Sequence, residues 1–91
     1  MKKILDPTKI KKVLEKKYKK SRVGMCHGVF DLLHIGHIKH FEEAKKISDI
    51  LIVSVTADEF VNKGPNRPAF SENLRMESLA SLSCVDFVCL S

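Results

Sequence analysis

The clearest indication of the fold is the segment Ile50-Leu51-Ile52-Val53-Ser54-Val55. It is almost wholly apolar and rich in β-branched side chains, which is typical of a strand buried on both faces. Strands of this kind lie in parallel sheets that helices cover on both sides. The run is also far shorter than the roughly 18 apolar residues that cross a bilayer. The sequence therefore predicts an α/β fold with this strand inside the sheet.

Elements on either side of this strand fit the same architecture. Apolar segments at residues 23–27 and 85–90 predict a buried first strand and a last strand, and residues 57–61 predict a short helical turn. A helix is expected over residues 36–47, and Ser71 is placed to cap another. The expected buried faces of these two helices are Ile38, Phe41 and Ala44 in the first and Met76, Leu79, Ala80 and Ser83 in the second. Helical crossovers between strands make the strands parallel, so we expect a Rossmann-like sheet with flanking helices.

The first 20 residues predict a basic amphipathic helix. Asp6 and Pro7 resemble an N-cap and the first helical position, and the helix should end near Lys20. Its apolar residues are Ile10, Val13, Leu14 and Tyr18. This segment carries nine lysines and a net charge of +7, whereas residues 21–91 carry −2. Lysine-rich faces are usually solvated, and contact with nucleic acid or a membrane surface is the alternative.

Composition places the chain among ordinary globular proteins. Hydrophobic residues make up 44% and charged residues 30% of the 91 residues. No secretory signal follows the start of the sequence, and Cys26, Cys84 and Cys89 form no close pair. We therefore expect one domain over residues 1–91, in a reducing cytoplasm. Its parts are the basic helix of residues 1–20 and a Rossmann-like α/β unit over residues 21–91.

The chemistry-bearing residues cluster between the first strand and the helix that follows it. All four histidines lie between positions 27 and 40, and His34 and His37 bracket Gly36. In open α/β sheets ligands bind at the carboxyl ends of strands. Gly28 allows close approach of the backbone to a ligand, and Gly36 stands at a helix start, where N–H groups and the helix dipole attract phosphate. A phosphate site is expected here.

Three other interpretations of these residues remain open. The first is that the histidines are ordinary surface or core side chains. The second is a metal site of His34, His37 and His40, which is disfavoured because His34 and His40 point to different helix faces and no carboxylate or cysteine stands at zinc spacing. The third is that Asp31 is a turn or cap residue that braces the loop.

The segment Gly28-Val-Phe-Asp-Leu-Leu-His34-Ile-Gly-His37 resembles the GxFDxxHxGH signature of the cytidylyltransferase-like nucleotidyltransferases. The similarity continues through Val55-Thr-Ala-Asp-Glu-Phe60. The segments Lys63-Gly-Pro-Asn-Arg67-Pro68 and Glu72-Asn-Leu-Arg75-Met76 are most similar to the branch that activates sugar phosphates such as heptose 1-phosphate. The branch that activates glycerol 3-phosphate is similar up to Phe60.

The resemblance implies a role for each matching residue. His34, His37 and Lys63 would be catalytic, through charge stabilisation at the phosphates. The nucleotide would also contact the remaining matched positions of the first motif and one arginine, namely Gly28, Val29, Phe30, Gly36 and Arg75. Asp31, Asp58 and Arg67 would lie on the substrate side. No metal ligand is assigned, and Mg²⁺ is expected to bind mainly through the nucleotide phosphates.

The implied reaction transfers a nucleoside monophosphate from CTP or ATP to a phosphorylated sugar, with release of pyrophosphate. A phospho-alcohol cytidylyltransferase and a non-catalytic nucleotide- or nucleic-acid-binding module are the alternatives. Aromatic residues that could stack on bases are scarce in the lysine segment, which disfavours a nucleic-acid partner, and no membrane partner is expected.

The family pattern continues beyond the third strand, whereas this sequence ends at Ser91. The resemblance therefore implies the first half of a sheet of order 3-2-1-4-5, whose first strand has a free edge. An unpaired edge is a template for association, so a homo-oligomer is expected. The 91 residues alone are expected to be inactive, because the resemblance implies that one wall of the nucleotide cleft comes from later strands. A longer protein or a partner chain would supply that wall.

Overall fold

A computed structural model describes residues 2–61 and 68–91. Within them a three-stranded parallel sheet of order β1-β2-β3 is flanked by three α-helices. The elements are α1 (Pro7–Lys17), β1 (Val23–Gly28), α2 (Ile35–Lys46), β2 (Ile50–Val55), a 3₁₀ turn (Asp58–Phe60), α3 (Glu72–Ala80) and β3 (Phe87–Leu90). The expected Rossmann-like α/β class is confirmed.

The central strand β2 is buried along its whole length, as its sequence predicts. Its side chains alternate between two cores, because successive residues of a strand point to opposite faces. The core on the α2 and α3 side contains Phe41, Leu51, Val53, Val55, Met76, Leu79, Val85 and Val88. The core on the α1 side contains Ile10, Ile50, Ile52, Phe87 and Cys89, with Leu5, Val13, Leu14 and Tyr18 of the amphipathic segment packed against it.

The prediction that the first strand is buried is wrong for one of its faces. Val23, Met25 and His27 are exposed on the α1 side of β1, whereas Cys26 packs against the opposite core. β1 lies at the edge of the sheet, and in the described part of the chain α1 covers β2 and β3 instead. The edge position of β1 agrees with the strand order that the resemblance implied. The exposed face was not foreseen, because an apolar sequence does not show which strands a helix covers.

Three element boundaries differ from the sequence expectation by two residues or more. Helix α1 ends at Lys17, and β3 begins at Phe87. Helix α3 ends at Ala80, so Ser83 lies beyond it and is exposed. The third large residue on the buried face of α3 is Arg75, beside Met76 and Leu79.

The N-terminal segment covers the outer edge of β3. The Leu5 N–H donates to the Val88 carbonyl at 3.1 Å, and the Val88 N–H donates to the Lys3 carbonyl at 2.9 Å. Asp6 then caps α1 by accepting from the Thr8 N–H at 2.8 Å, as predicted. In the described ranges no helix is long and apolar enough to cross a membrane.

Candidate functional site

The candidate site lies where β1 leads into α2, at the carboxyl ends of the parallel strands. Gly28 ends β1 beside Val55, the last residue of β2, and the Thr56 N–H donates to the Gly28 carbonyl at 3.0 Å. Two residues later Phe30 adopts a left-handed backbone conformation with φ of 52°. Such a conformation is strained for a bulky residue and is retained where surrounding contacts fix it. The chain therefore turns sharply at this edge of the sheet.

His34 and His37 form a reciprocal cap at the start of α2. The Nδ1 atom of His34 accepts from the Gly36 N–H at 3.0 Å, and the Nδ1 atom of His37 accepts from the His34 N–H at 3.3 Å. The two ring centroids are 4.1 Å apart. A ring nitrogen that accepts carries no proton, so each neutral imidazole holds its proton on Nε2 and can donate from that atom.

The glycines of the motif are required by these aromatic rings. A Cβ at Gly36 would lie 2.6 Å from Cε1 of His34, and a Cβ at Gly28 would lie 2.8 Å from Cζ of Phe30. The sequence predicted that these glycines make room for a ligand. In the structure the side chains of His34 and Phe30 occupy the space next to them.

His37 lies in a partly desolvated position. The Phe30 ring meets it edge-on with centroids 5.7 Å apart and also contacts Phe41 at 5.2 Å. Burial, and then the nearby His34 and His40 rings, lower the pKa of His37 below its usual range. The neutral, donating form is therefore favoured near neutral pH.

Arg75 is the most deeply buried charged residue of the described chain, with 1% of its surface exposed. Its guanidinium donates to the carbonyls of Val29 at 2.9 Å, Thr56 at 2.7 Å and Phe70 at 3.1 Å. It also pairs with the Asp58 carboxylate at 2.5 Å. Its contact with a nucleotide stays a prediction, because the structure shows these protein partners.

The two carboxylates that the resemblance assigned to the substrate side both accept hydrogen bonds from the protein. Asp31 accepts from backbone N–H groups, and Asp58 accepts from Arg75. Asp31 accepts from the N–H groups of Ala69 at 2.7 Å and Phe70 at 2.9 Å. This geometry fits the loop-bracing alternative for Asp31. Asp58 meets Arg75, and its own N–H donates to Glu72 at 2.9 Å. The sequence did not predict that Glu72 would contact Asp58. Its position in the first turn of α3 is the one sequence feature that indicates a role in binding N–H groups.

A family model described as cytidylyltransferase-like matches residues 25–90. The chain belongs to this family. The match includes the whole β1–α2 junction and every described candidate residue. The fold and the site geometry therefore belong to a cytidylyltransferase-like domain.

Curated relatives of this cytidylyltransferase-like chain carry the name bifunctional protein HldE. The chain is 44% identical to that of Helicobacter pylori over 88 residues, which is 94% of this chain and 19% of the relative. It is 39% identical to that of Syntrophotalea carbinolica over 82 residues, which is 87% of this chain and 17% of the relative. The chain thus spans less than a fifth of the length of these relatives.

A solved structure has the same fold. It is the lipopolysaccharide core biosynthesis protein of Thermoplasma volcanium, with a TM-score of 0.72 and 38% sequence identity. The similarity covers 78% of this chain and 58% of that one.

Some predicted residues of the cytidylyltransferase-like site lie outside the described part. Lys63 and Arg67 are among residues 62–67, so their assignments stay predictions. An open cleft of about 560 Å³ lies between the loop after β1 and α3, lined by Phe30, Asp31, Leu32, Leu33, Phe70, Leu74, Arg75, Glu77 and Ser78. Its lining does not include His34 or His37. The histidine pair therefore lies outside this cleft, and the candidate site is assigned to the histidine pair because of its hydrogen-bond donors.

Proposed function

We propose that the protein is a nucleotidyltransferase that moves a nucleoside monophosphate from a nucleoside triphosphate to a sugar phosphate and releases pyrophosphate. Membership of the cytidylyltransferase-like family supports the transfer. The relatives named HldE, together with the resemblance of the later segments to the sugar-phosphate branch, support the acceptor class. The cytoplasm, where nucleotides and sugar phosphates occur together, is the proposed location.

The observation that carries the proposal is the histidine pair at the N-terminus of α2. Both Nδ1 atoms are occupied as acceptors, which leaves both Nε2–H groups as donors on one short stretch of backbone. The helix dipole adds positive potential at the same place. Two preorganised neutral donors at a helix N-terminus suit an oxyanion that gains charge during a reaction.

The reaction needs no protein nucleophile. An oxygen of the acceptor phosphate attacks the α-phosphorus in line, and a new P–O bond forms. The bond from the α-phosphorus to the oxygen that bridges to the β-phosphate breaks, and pyrophosphate leaves with the electron pair. Catalysis of such transfers consists mainly of positioning and charge stabilisation. The donors His34 and His37 fit that requirement, and Cys26 is a core residue whose pKa is raised, chiefly by burial.

Mg²⁺ is proposed as part of the substrate, carried on the triphosphate. The described residues contain no group of three or more His, Cys, Asp or Glu side chains placed to hold a metal ion. The nearby Asp31 and Asp58 carboxylates already accept hydrogen bonds from the protein. Mg²⁺ prefers phosphate oxygens and water as ligands, and the triphosphate would supply the phosphate oxygens.

The other site assignments are proposed on the same basis. Backbone groups of Gly28, Val29 and Phe30 would face the nucleotide, and Lys63 would supply a cation to its phosphates. Arg67 would act on the acceptor side. Association through the edge of β1 that pairs with no strand of the described residues is proposed as the route to a homo-oligomer.

The test is pyrophosphate release by the full-length protein with each of four triphosphates, CTP, ATP, GTP and UTP, because the 91 residues alone are expected to be inactive. Each is combined with heptose 1-phosphate or glycerol 3-phosphate in the presence of Mg²⁺. We expect turnover with a sugar phosphate, and a loss of turnover on His37→Ala that Lys19→Ala does not share. Turnover only with glycerol 3-phosphate would overturn the acceptor class. Absence of both turnover and triphosphate binding would overturn the proposed function.

A further inference from the structure

We propose that Arg75 is a positioning residue, whose buried guanidinium fixes the loop after β1 against the loop after β2 and thereby sets the position of His37. The inference rests on the proposed function and deepens it. It gives Arg75 a role that acts through other residues, whereas the family resemblance assigned it to the nucleotide.

The hydrogen bonds of Arg75 join three separate segments. Four of its five N–H groups donate to the protein, two of them from one terminal nitrogen to the Val29 and Thr56 carbonyls. Val29 follows β1 and Thr56 follows β2, so a single nitrogen links the carboxyl ends of two neighbouring strands. The remaining donors reach Phe70, ahead of α3, and the Asp58 carboxylate.

A short path leads from this guanidinium to His37. The carbonyl that Arg75 holds belongs to Val29, the residue before the left-handed turn at Phe30. The Phe30 ring packs edge-on against His37, with centroids 5.7 Å apart. Displacement of the Val29 carbonyl would move Phe30 and so change the packing of the Phe30 ring against His37. The same ring lies over Gly28, so its position is also constrained from the strand side.

Arg75 also anchors both described flanks of the segment that carries Lys63. Asp58 lies shortly before that segment and Phe70 shortly after it, and both are partners of the guanidinium. Asp31 adds to the second anchor by accepting from the Phe70 N–H. The two flanks and the histidine loop are therefore tied to one side chain.

The burial of Arg75 favours a positioning role over direct contact with a phosphate. The Arg75 side chain exposes none of its own surface, and contact with a ligand would require it to give up hydrogen bonds to three backbone carbonyls. A lysine cannot replace it, because an ammonium presents its donors from a single atom and lacks the planar fork that spans several acceptors. Charge alone is not expected to suffice.

The first experiment compares Arg75→Lys with the matched control Arg22→Lys, an exposed arginine just before β1. NMR records the ring-proton shifts of His37, which depend on the nearby Phe30 ring, and hydrogen exchange of the amides of Thr56, Asp58, Ala69 and Phe70. We expect Arg75→Lys to move the His37 shifts and to speed exchange at those four amides, while Val53 in the middle of β2 stays protected. The control should change neither. Should Arg75→Lys not fold, Asp58→Asn, which removes one partner of the guanidinium, is expected to show the same changes on a smaller scale.

The second experiment measures turnover per folded molecule. A misplaced catalytic group costs roughly 10²-fold in kcat, whereas the KM for triphosphate should stay within about threefold of the wild-type value. Unchanged His37 shifts and amide exchange in a folded variant would overturn the proposal. So would a large rise in KM with kcat intact, which indicates contact with the triphosphate. If the full-length wild-type protein transfers no nucleotide, the proposed function fails, and the NMR measurements still decide whether Arg75 positions His37.

Discussion

The carboxyl edge of the sheet is stabilised by two kinds of contact. One is the histidine cap of α2. The other is the Arg75 network, the hydrogen bonds of Arg75 to Val29, Thr56, Asp58 and Phe70. The cap is local, because His34, Gly36 and His37 satisfy one another across two or three positions of sequence. The Arg75 network is long-range, and its bond to Val29 spans 46 residues. A local cap forms together with its helix, whereas a long-range network forms only when the sheet and α3 have assembled. The two histidine donors therefore take their shape from local sequence, whereas their position relative to the sheet depends on tertiary structure.

The largest expected effect comes from removal of the long-range network. Arg75→Ala leaves three carbonyls and the Asp58 carboxylate without their donor. Breaking a buried pair in this way costs about 3–5 kcal/mol, and the half-exposed Asp58 places this case near the lower end. Urea unfolding followed by circular dichroism measures the loss.

Arg22→Ala is the control, because it removes an exposed pair with Asp49 at 3.5 Å. Its unfolding midpoint should stay close to that of the wild type. Equal losses in the two variants would show that the Arg75 contacts add nothing beyond a surface ion pair, and the contrast between local and long-range support would then disappear.

The local cap makes a prediction that separates stability from chemistry. Both His34→Ala and His34→Asn remove the Nε2–H donor, so kcat should fall by roughly 10²–10³ in each. Asparagine is a good N-cap and can accept from the Gly36 N–H, whereas alanine cannot, so only His34→Ala should lose about 0.5–2 kcal/mol of stability. Steady-state kinetics and urea unfolding on the same samples measure the two effects. Full activity in His34→Asn would mean that the imidazole serves the helix and not the reaction.

Phe30 lies between the α2 cap and the partners of Arg75, because its ring packs on His37 and lies next to Gly28. Gly28→Ala forces a Cβ to within 2.8 Å of the Phe30 ring, and overpacking of this kind costs about 1–3 kcal/mol. In a Phe30→Ala background the same change should cost much less, because the ring that it meets is gone. A double-mutant cycle in urea measures the coupling. Additive losses would show that the ring does not explain the glycine.

Much of the local structure could be predicted from the sequence. The cap at Asp6, the burial of β2 and the turn from β1 into α2 that carries the candidate histidines depend on residues close together in the chain. The all-parallel order also follows from local patterns, because helical crossovers fix the direction of the strands.

What escaped prediction depends on contacts between distant residues. The exposed face of β1 follows from which strands α1 covers, and periodicity carries no information on that choice. An arginine in a helix pattern suggests a surface side chain, so its place in the core between Val29 and Thr56 could not be foreseen. The resemblance marked Arg75 as functional, but the structure was needed to identify its protein partners.

The smallest expected effect is a pH dependence that comes from His37. Its pKa is lowered in the folded protein, first by burial and then by the nearby His34 and His40. The unfolded chain therefore binds the proton more readily, and the stability that His37 contributes is complete above its unfolded pKa of about 6.5 and is lost as pH falls through the lower folded value. Urea unfolding from pH 8 to pH 5 should show a decline in the wild type that is weaker in His37→Gln. Because burial is the larger cause, His40→Gln should keep most of the decline. If His40→Gln removes it as fully as His37→Gln does, repulsion among the histidines, and not the packing of Phe30 on His37, controls the protonation of the site.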